Sequence, residues 1–532
     1  PPISVPEDTG EGGKLKMIVQ LVKRSLGVKD IAAMRLSLPA SLLEPIPNLE
    51  YWHYLDRPDL FAAINDHDDP LERMLAVLRF TFSKDLRHIR GKVCKPYNSV
   101  LGEHFRSHWD VIPISYSDDP THPPLQHDNV EPSHHTLHAS RSTPRIPLTE
   151  TDSIRSGKGI KDTVPAARAG GFGSLLSMRG WSSPAIDHAN TTPAVSAQSS
   201  TLSLAESAAS SSTSTPAPRV RVLFLTEQVS HHPPISAYVA ACPDRNLRMT
   251  GIDQIAAKVT STASVRIGPG SANKGLFVDV TGGFGEGERY RITHPVAHVN
   301  GVLRGSFYVT VGESTIITCE GGKGLNGESL RAIIDYKEES FFGKPHFLVE
   351  GVIHGYTPGA TEHEEWTRVK HVPKDRVIIF LEGSWRAAVR YRHAFPPAAP
   401  SATASPASSS SSLTSKVKGK GTEWRTLLDL STLHIVPKTV RPITRQEPNE
   451  SRRLWETVTE RLLRKEFGEA TRAKQTIEQR QRELTEERKR KGVEFVPKYF
   501  EKDYPDGVAK LTPAGEAALK QELEEQDEPE AA

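Results

Sequence analysis

The sequence predicts an α+β protein built on one large antiparallel β-sheet that curls or closes, with helices towards both ends of the chain. Three observations carry this expectation. Between residues 219 and 391, short runs rich in β-branched and aromatic residues are punctuated by glycine, with no helical stretch between them. Helical spacing of apolar residues is confined to the flanks, as in Leu71, Met74, Leu75 and Leu78 on one side and Val458 and Leu462 on the other. So many short strands at close spacing make a sheet large enough for its twist to curl it.

Composition narrows the class. The chain carries 67 basic against 65 acidic residues, a net charge of +2, which gives no global nucleic-acid footprint and makes any basic site local. Cys94, Cys242 and Cys319 form no C-x-x-C pair, which argues against a disulfide scaffold or structural zinc and suits a reducing compartment. The longest apolar runs, such as residues 377–381, are far too short to span a bilayer. With no secretory signal and no initiator methionine, the expectation is a processed or excised cytosolic protein that meets membranes only at their surface.

In chain order, residues 1–13 read as a flexible lead. Residues 14–26 place Leu15, Ile18, Leu21, Val22 and Leu26 near helical spacing with basic residues opposite, an amphipathic helix that can lie on a surface, close over a hole or dock on a core. Residues 38–45 are apolar, but Pro39 and Pro45 keep them irregular. Asp69 and Pro70 then supply an N-cap and a first-turn proline for the helix bearing Leu71. Next comes Lys95-Pro96-Tyr97-Asn98-Ser99-Val100-Leu101-Gly102-Glu103. Lys95 and Asn98, three residues apart, held by a proline and closed by a glycine turn, can present two donors to one anion, or form a plain surface turn.

From 115 to 218 the chain is dominated by Ser, Thr, Pro, Ala and His and loses hydrophobic periodicity, so it reads as a disordered insertion. His134, His135 and His138 within it lack a second ligand cluster and read as solvated side chains. The strand region of 219–395 opens with Glu227-Gln228-Val229-Ser230-His231-His232-Pro233-Pro234. Neighbouring side chains leave a strand on opposite faces, so His231 and His232 share a ligand only if the chain departs from strand geometry there, which the prolines favour. The stretch reads as an anion-binding corner at a strand end. The glycine run 282–287 precedes a strand rather than a helix, so it reads as a tight turn and not a nucleotide loop.

A low-complexity linker, 396–421, leads into a helical region, 422–510, and an acidic tail, 511–532. Trp455, Val458, Leu462, Leu463 and Phe467 form the apolar face of one helix. In the next, Lys474, Glu478 and Arg482 recur every four residues and stack on one side. Such a row is either a solvated ion-pair ladder or an acid that holds two bases towards an outside anion.

Together these motifs make the chain resemble the lipid-binding domain of the oxysterol-binding protein family over residues 14–114, 219–395 and 422–500. Residues 227–234 carry the family's E-Q-V-S-H-H-P-P unchanged. Residues 95–103 match K-P-x-N-P-x-L-G-E except that Ser99 replaces the second proline, and Lys474, Glu478 and Arg482 match its C-terminal helix. Details such as Leu42-Leu43-Glu44 and Gly492-Val493-Glu494-Phe495 resemble most the fungal branch that carries phosphatidylserine. The resemblance implies a nearly complete antiparallel barrel enclosing a lipid tunnel, an N-terminal lid with helices in 14–114, and C-terminal helices packed outside.

It further implies a phosphoinositide site of Lys95, Asn98, His231, His232, Lys474 and Arg482 with Glu478 as orienter. A second-lipid set of Leu42 and Leu43 in the lid, Lys95 and Asn98 at the mouth, and Ser264 follows from the same resemblance. The function it implies is non-enzymatic exchange of phosphatidylserine for phosphatidylinositol 4-phosphate, by a monomer without cofactor, metal or nucleic-acid partner, at contacts between endoplasmic reticulum and plasma membrane. A sterol in place of phosphatidylserine is the alternative. A metal-dependent hydrolase on His231 and His232 lacks a third ligand, and a tethering scaffold with a docking motif at 339–342 competes with strand structure there.

Overall fold

The computed structural model describes residues 30, 43–90, 95–117, 119, 122–127, 129, 218–260, 264–300, 308–338, 346–395 and 423–525. The amphipathic segment 14–26, Leu42, Cys94, the three histidines at 134–138, nearly all of the 115–218 insertion, the motif at 339–342 and the linker 396–421 lie outside the described residues.

In chain order the strands are β1 (His104–Val111), β2 (Val220–His231), β3 (Pro234–Cys242), β4 (Leu247–Asp253), β5 (Ile255–Val259), β6 (Val265–Pro269), β7 (Leu276–Val280), β8 (Arg289–Ile292), β9 (Val296–Asn300), β10 (Tyr308–Gly312), β11 (Ser314–Glu320), β12 (Ser329–Tyr336), β13 (Leu348–Tyr356), β14 (Val377–Ser384), β15 (Ala388–His393) and β16 (Arg425–Asp429). Twelve form one antiparallel sheet in the order β1-β2-β3-β4-β7-β8-β11-β12-β13-β14-β15-β16, and the other four form a small sheet, β10-β9-β6-β5. The longer helices are α1 (Pro70–Ser83), α2 (Glu456–Leu463), α3 (Phe467–Lys491) and α4 (Pro513–Leu523). The α+β antiparallel expectation therefore holds.

The large sheet curls around α1. Asp69 caps this helix by accepting from the Leu71 N–H at 2.8 Å, and Pro70 occupies its first turn. α1 packs against both β12 and β16. Its Arg73 forms a buried, two-pronged pair with Glu288 just before β8, and its Arg79 donates to the Leu427 carbonyl in β16 at 3.2 Å. One helix reaches three separated strands only if the sheet wraps it. The edge strands β1 and β16 do not pair with each other, so hydrogen bonds do not close the sheet. The chain leaving β16 crosses to β1 instead: His108 and Thr439 exchange backbone hydrogen bonds of 3.1 and 2.8 Å, and the His104 N–H donates to the Asn449 carbonyl at 3.1 Å.

β2 is buried on both faces. Val222 and Phe224 point into the main core with Trp109 and Tyr238, whereas Leu223, Leu225 and Val229 pack outward against Tyr499, Phe500, Ala518 and Leu519. The strand thus reads as a near-continuous apolar run, and its far end is held rigidly from both sides.

Several boundaries differ from the sequence reading. β1 lies in the segment assigned to lid and helices, and β16 in the segment assigned to helices, because each gains its strand partner only from distant chain. The acidic tail contains α4, with Thr512 as N-cap and Ala518 and Leu519 buried on β2, while Glu522 accepts from His108 and from Arg441 at 2.8 Å each. So few apolar side chains in an acidic stretch leave no readable stripe. Trp455 to Phe467 is not one helix: Trp455 separates two short helices, Leu463 is exposed and Phe467 opens α3. The glycine run does form the turn between β7 and β8. Among the described residues no helix is long and apolar enough to cross a membrane.

Candidate functional site

The histidine stretch is a tight hairpin rather than a strand-end corner. β2 continues through His231, which pairs with Pro234 of β3, and the register shifts between Gln228 and Ser230. The turn brings the two imidazoles side by side, with ring centroids 4.5 Å apart. His231 is half-buried, and His232, Pro233 and Pro234 are exposed.

In the upstream motif Lys95 and Asn98 are exposed and the residues between them are buried. The Lys95 ammonium donates to Asn98 Oδ1 at 2.7 Å and to the Pro96 carbonyl at 3.1 Å, which fixes both groups on one side of the turn. Tyr97 points the other way. Its ring lies 5.0 Å from that of Trp455, and its hydroxyl is 2.8 Å from Thr459 Oγ1. Val100, Val458, Leu462 and Ala470 complete this cluster, with Leu43, Phe467, Ala473 and Ile477 packed against it. Leu43 is further tied to the motif because the following N–H, of Glu44, donates to the Lys95 carbonyl at 3.0 Å.

Ala470, Ala473 and Ile477 put α3 onto that cluster, and Lys474 shares their face by helical spacing. Lys474 is therefore only 3% exposed, and Glu478, at 2.5 Å, accepts from its ammonium. Arg482, one turn on, lies 3.8 Å from the other Glu478 oxygen and is 63% exposed. The row is not a solvated ladder: it runs from a buried base through a shared acid to an exposed base.

Two polar residues that the sequence reading left without a role hold the first motif in place: Gln228 ties it to the second, and Glu103 ties it to Trp455, on whose apolar cluster α3 packs. Gln228 accepts from Ser99 Oγ at 2.5 Å and Ser236 Oγ at 3.0 Å, and its backbone pairs with Gly102 and Glu103 at 3.0 and 2.8 Å. Ser99, the departure from the family pattern, thus contributes a link that proline lacks. Glu103, fully buried, accepts from the Val100 N–H (3.0 Å), Ser451 Oγ (2.8 Å) and Trp455 Nε1 (3.0 Å). Burial pushes its carboxyl up to about 7 against the pull of these donors. Glu227, whose carboxyl is also raised by burial, accepts from the N–H groups of Lys498 and Tyr499 at 2.8 and 2.7 Å. The only sequence signal for these acids and amides was their place inside the motifs.

Ser264 is not part of this assembly. It lies in the turn between β5 and β6 of the small sheet, buried, with its hydroxyl 2.8 Å from Thr260 Oγ1. Leu42 lies outside the described residues. Among the described residues no group of three His, Cys, Asp or Glu side chains is arranged to hold a metal ion.

Inside the curl lies a second polar group. Tyr54 donates to Asp253 Oδ1 at 2.7 Å, its ring is 5.4 Å from those of Tyr238 and His294, and the Lys84 ammonium sits 4.9 Å from its centre. Lys84 pairs with Asp85, and although burial pushes the Asp85 carboxyl up, the Lys84 ammonium holds it below its ordinary value. Burial raises Asp253 to about 7 and lowers His294 to about 3. Tyr238 Oη and His294 Nε2 are buried without a hydrogen-bond partner among the described residues.

The fold and site define a large curled antiparallel sheet, not closed by hydrogen bonds, to which three donor-bearing motifs are tied by Gln228 and by the cluster of Tyr97 and Trp455. The chain belongs to the oxysterol-binding protein family, whose model matches residues 17–135 and 213–517. It is 36% identical over 522 residues to oxysterol-binding protein-like protein 1 of Schizosaccharomyces pombe, covering 97% of this chain and 92% of the relative. Human oxysterol-binding protein-related protein 11 is 24% identical over 471 residues, 88% of this chain and 46% of that one. Among solved structures, the Osh1 ORD domain in complex with ergosterol matches with TM-score 0.51 and 16% identity over 98% of both chains. Osh3 ORD in complex with PI(4)P, from Saccharomyces cerevisiae, matches with TM-score 0.50 and 14% identity over 95% of this chain and 92% of that one. These structural likenesses concern the fold.

Proposed function

We propose that this protein is a lipid-transfer protein that extracts phosphatidylinositol 4-phosphate and phosphatidylserine and exchanges them between membranes, at contacts between endoplasmic reticulum and plasma membrane. The observation that carries this is the joining of three motifs, about 390 residues apart at their extremes, the first two through Gln228 and the third through the packing of α3 on Tyr97 and Trp455, which Glu103 anchors. Lys474, Arg482, Lys95, Asn98 and the histidine pair then offer charge-assisted and amide donors to one phosphorylated headgroup, with Glu478 orienting two of the bases. Acyl chains drawn from a bilayer lose about 0.8 kcal/mol per CH₂ unless they enter a dry enclosure, and the space inside the curl is the natural place for them. Binding and release need no covalent step.

A sterol as second lipid is favoured by a different observation. Tyr238 Oη and His294 Nε2, buried and unpartnered, beside Asp253 and Tyr54, suit a single hydroxyl at the end of an apolar body. A liposome assay that follows phosphatidylserine and phosphatidylinositol 4-phosphate together decides between the readings. Exchange requires that adding either lipid to the opposite membrane accelerate transfer of the other. Failure of phosphatidylserine, with success of a sterol, replaces the cargo, and no acceleration by any pair refutes exchange.

A further inference from the structure

The segment after α3 lies beside the phosphate site without contributing to it. Gly492 ends α3 in the left-handed conformation, at φ 64°. Phe495 then packs on Gly102 so closely that an added Cβ there would come within 3.3 Å of its ring. A few residues on, the Glu227 carboxylate holds the N–H groups of Lys498 and Tyr499. Between these fixed points Val493 and Val496 are 58% and 75% exposed, and Val496 is the most exposed large hydrophobic among the described residues.

A pinned loop that turns its aromatic inward and its two valines outward is not accounted for by core packing. Its surroundings carry the charge an anionic surface requires. Residues 488–498 contain five basic side chains and one acidic; Lys491 pairs with Glu487, Lys498 with Glu447 and the single acid, Glu494, with Lys502, so the excess positive charge comes from Arg488, Lys489 and Arg490 at the end of α3. The exposed tip of the β2–β3 hairpin begins five residues along the chain from Glu227, at His232.

We propose that residues 492–497 form a membrane-docking finger, which inserts Val493 and Val496 into the surface of an anionic bilayer while the neighbouring basic residues bind its headgroups. Phe495 on Gly102 and Lys498 on Glu227 tie the finger to two of the three motifs, so docking seats the phosphate site against the membrane from which its ligand is drawn. The inference rests on the lipid-transfer reading. It concerns a bilayer rather than a protein groove because the apolar element is only two side chains wide and its surroundings are basic.

The test is sedimentation of the full chain with vesicles of phosphatidylcholine, with and without phosphatidylglycerol, an anionic lipid that is not a proposed cargo. Val493→Asp with Val496→Asp is expected to lower partition onto the anionic vesicles roughly tenfold or more. Val493→Leu with Val496→Leu should match or exceed wild type. Arg490→Gln with Lys491→Gln should weaken binding to anionic vesicles and leave neutral ones unaffected.

Native mass spectrometry of co-purified lipid separates this proposal from the transfer reading, because the aspartate variant should still carry lipid. A wild-type chain that docks but neither carries nor transfers lipid refutes transfer alone. Wild-type partition by the aspartate variant overturns the docking finger, whatever the transfer assay gives, and assigns the valines to a protein partner or a second copy.

Discussion

Replacing Glu103 tests whether the three motifs are held as one unit. In Glu103→Ala the Val100 N–H and Trp455 Nε1 lose a buried acceptor, while Ser451 Oγ keeps the His104 carbonyl at 3.2 Å. Two orphaned buried donors cost about 2–6 kcal/mol together. Glu103→Gln retains one acceptor oxygen and should lose roughly 1–3 kcal/mol. A pH signature accompanies this. The Glu103 carboxyl titrates near 7 in the folded chain, raised from an ordinary value of 4.5. Between these values the folded state holds the proton that the unfolded state releases, so its contribution is full below about 4.5, falls as pH rises towards 7 and is flat above, roughly 3 kcal/mol in all.

Urea unfolding followed by tryptophan fluorescence, at intervals between about pH 5 and 8, measures both effects. Glu103→Gln should show a shallower loss of stability across that window than wild type. Phosphoinositide binding by the folded glutamine variant should fall severalfold, since Val100 and Trp455 anchor the turn that carries Lys95 and the elements that carry Lys474. An alanine variant within about 1 kcal/mol of wild type, or a glutamine variant with an unchanged pH slope, would refute the keystone role.

Three further outcomes are expected. His231→Ala with His232→Ala should abolish the tightening of phosphoinositide binding as pH falls from roughly 8 to 6 and leave extraction of the second lipid largely intact; identical pH slopes in variant and wild type would remove the imidazoles from the explanation. Lys474→Met removes the buried base of Glu478 and leaves it the more distant Arg482, and should weaken phosphoinositide binding about a hundredfold, against about tenfold or less for the exposed Arg482→Gln; equal losses by calorimetry would contradict the buried-to-exposed order. Arg73→Met leaves Glu288 buried without its base and should destabilise the chain by about 3–5 kcal/mol in chemical unfolding, and a loss below about 1 kcal/mol would show that this tie does not hold α1 in the curl.

The strands were legible where both neighbours come from nearby chain, as in β3 between β2 and β4, because β-branched and aromatic residues are dense there. β1 and β16 were not, since β1 pairs with a strand that begins over a hundred residues later and β16 follows the linker. α4 escaped notice because much of its packing is an ionic contact of Glu522 with His108 and Arg441, which leaves no periodic stripe. At the site, residue types within each motif showed their donors. What joins the motifs did not show, because Gln228 to Ser99 and Glu103 to Trp455 are buried tertiary bonds with no local spacing to reveal them. Ser264, proposed by similarity for the second lipid, lies next to the small sheet, with its hydroxyl on Thr260.

The crossing from β16 to β1 gives the barrel a seam. Every other boundary around the large sheet is a ladder, so widening it there means breaking a row of hydrogen bonds at once. At the seam, backbone hydrogen bonds to the edge strand β1 among the described residues are the exchange between His108 and Thr439 and the bond from His104 to Asn449, supported by the Trp109 indole on the Val436 carbonyl. The seam adjoins β1, one strand away from the β2–β3 hairpin that carries His231 and His232, and beside it Glu103 holds Ser451 and Trp455. Opening the seam would therefore strain the bonds of Glu103 that join the Lys95 motif to the segment leading into α3.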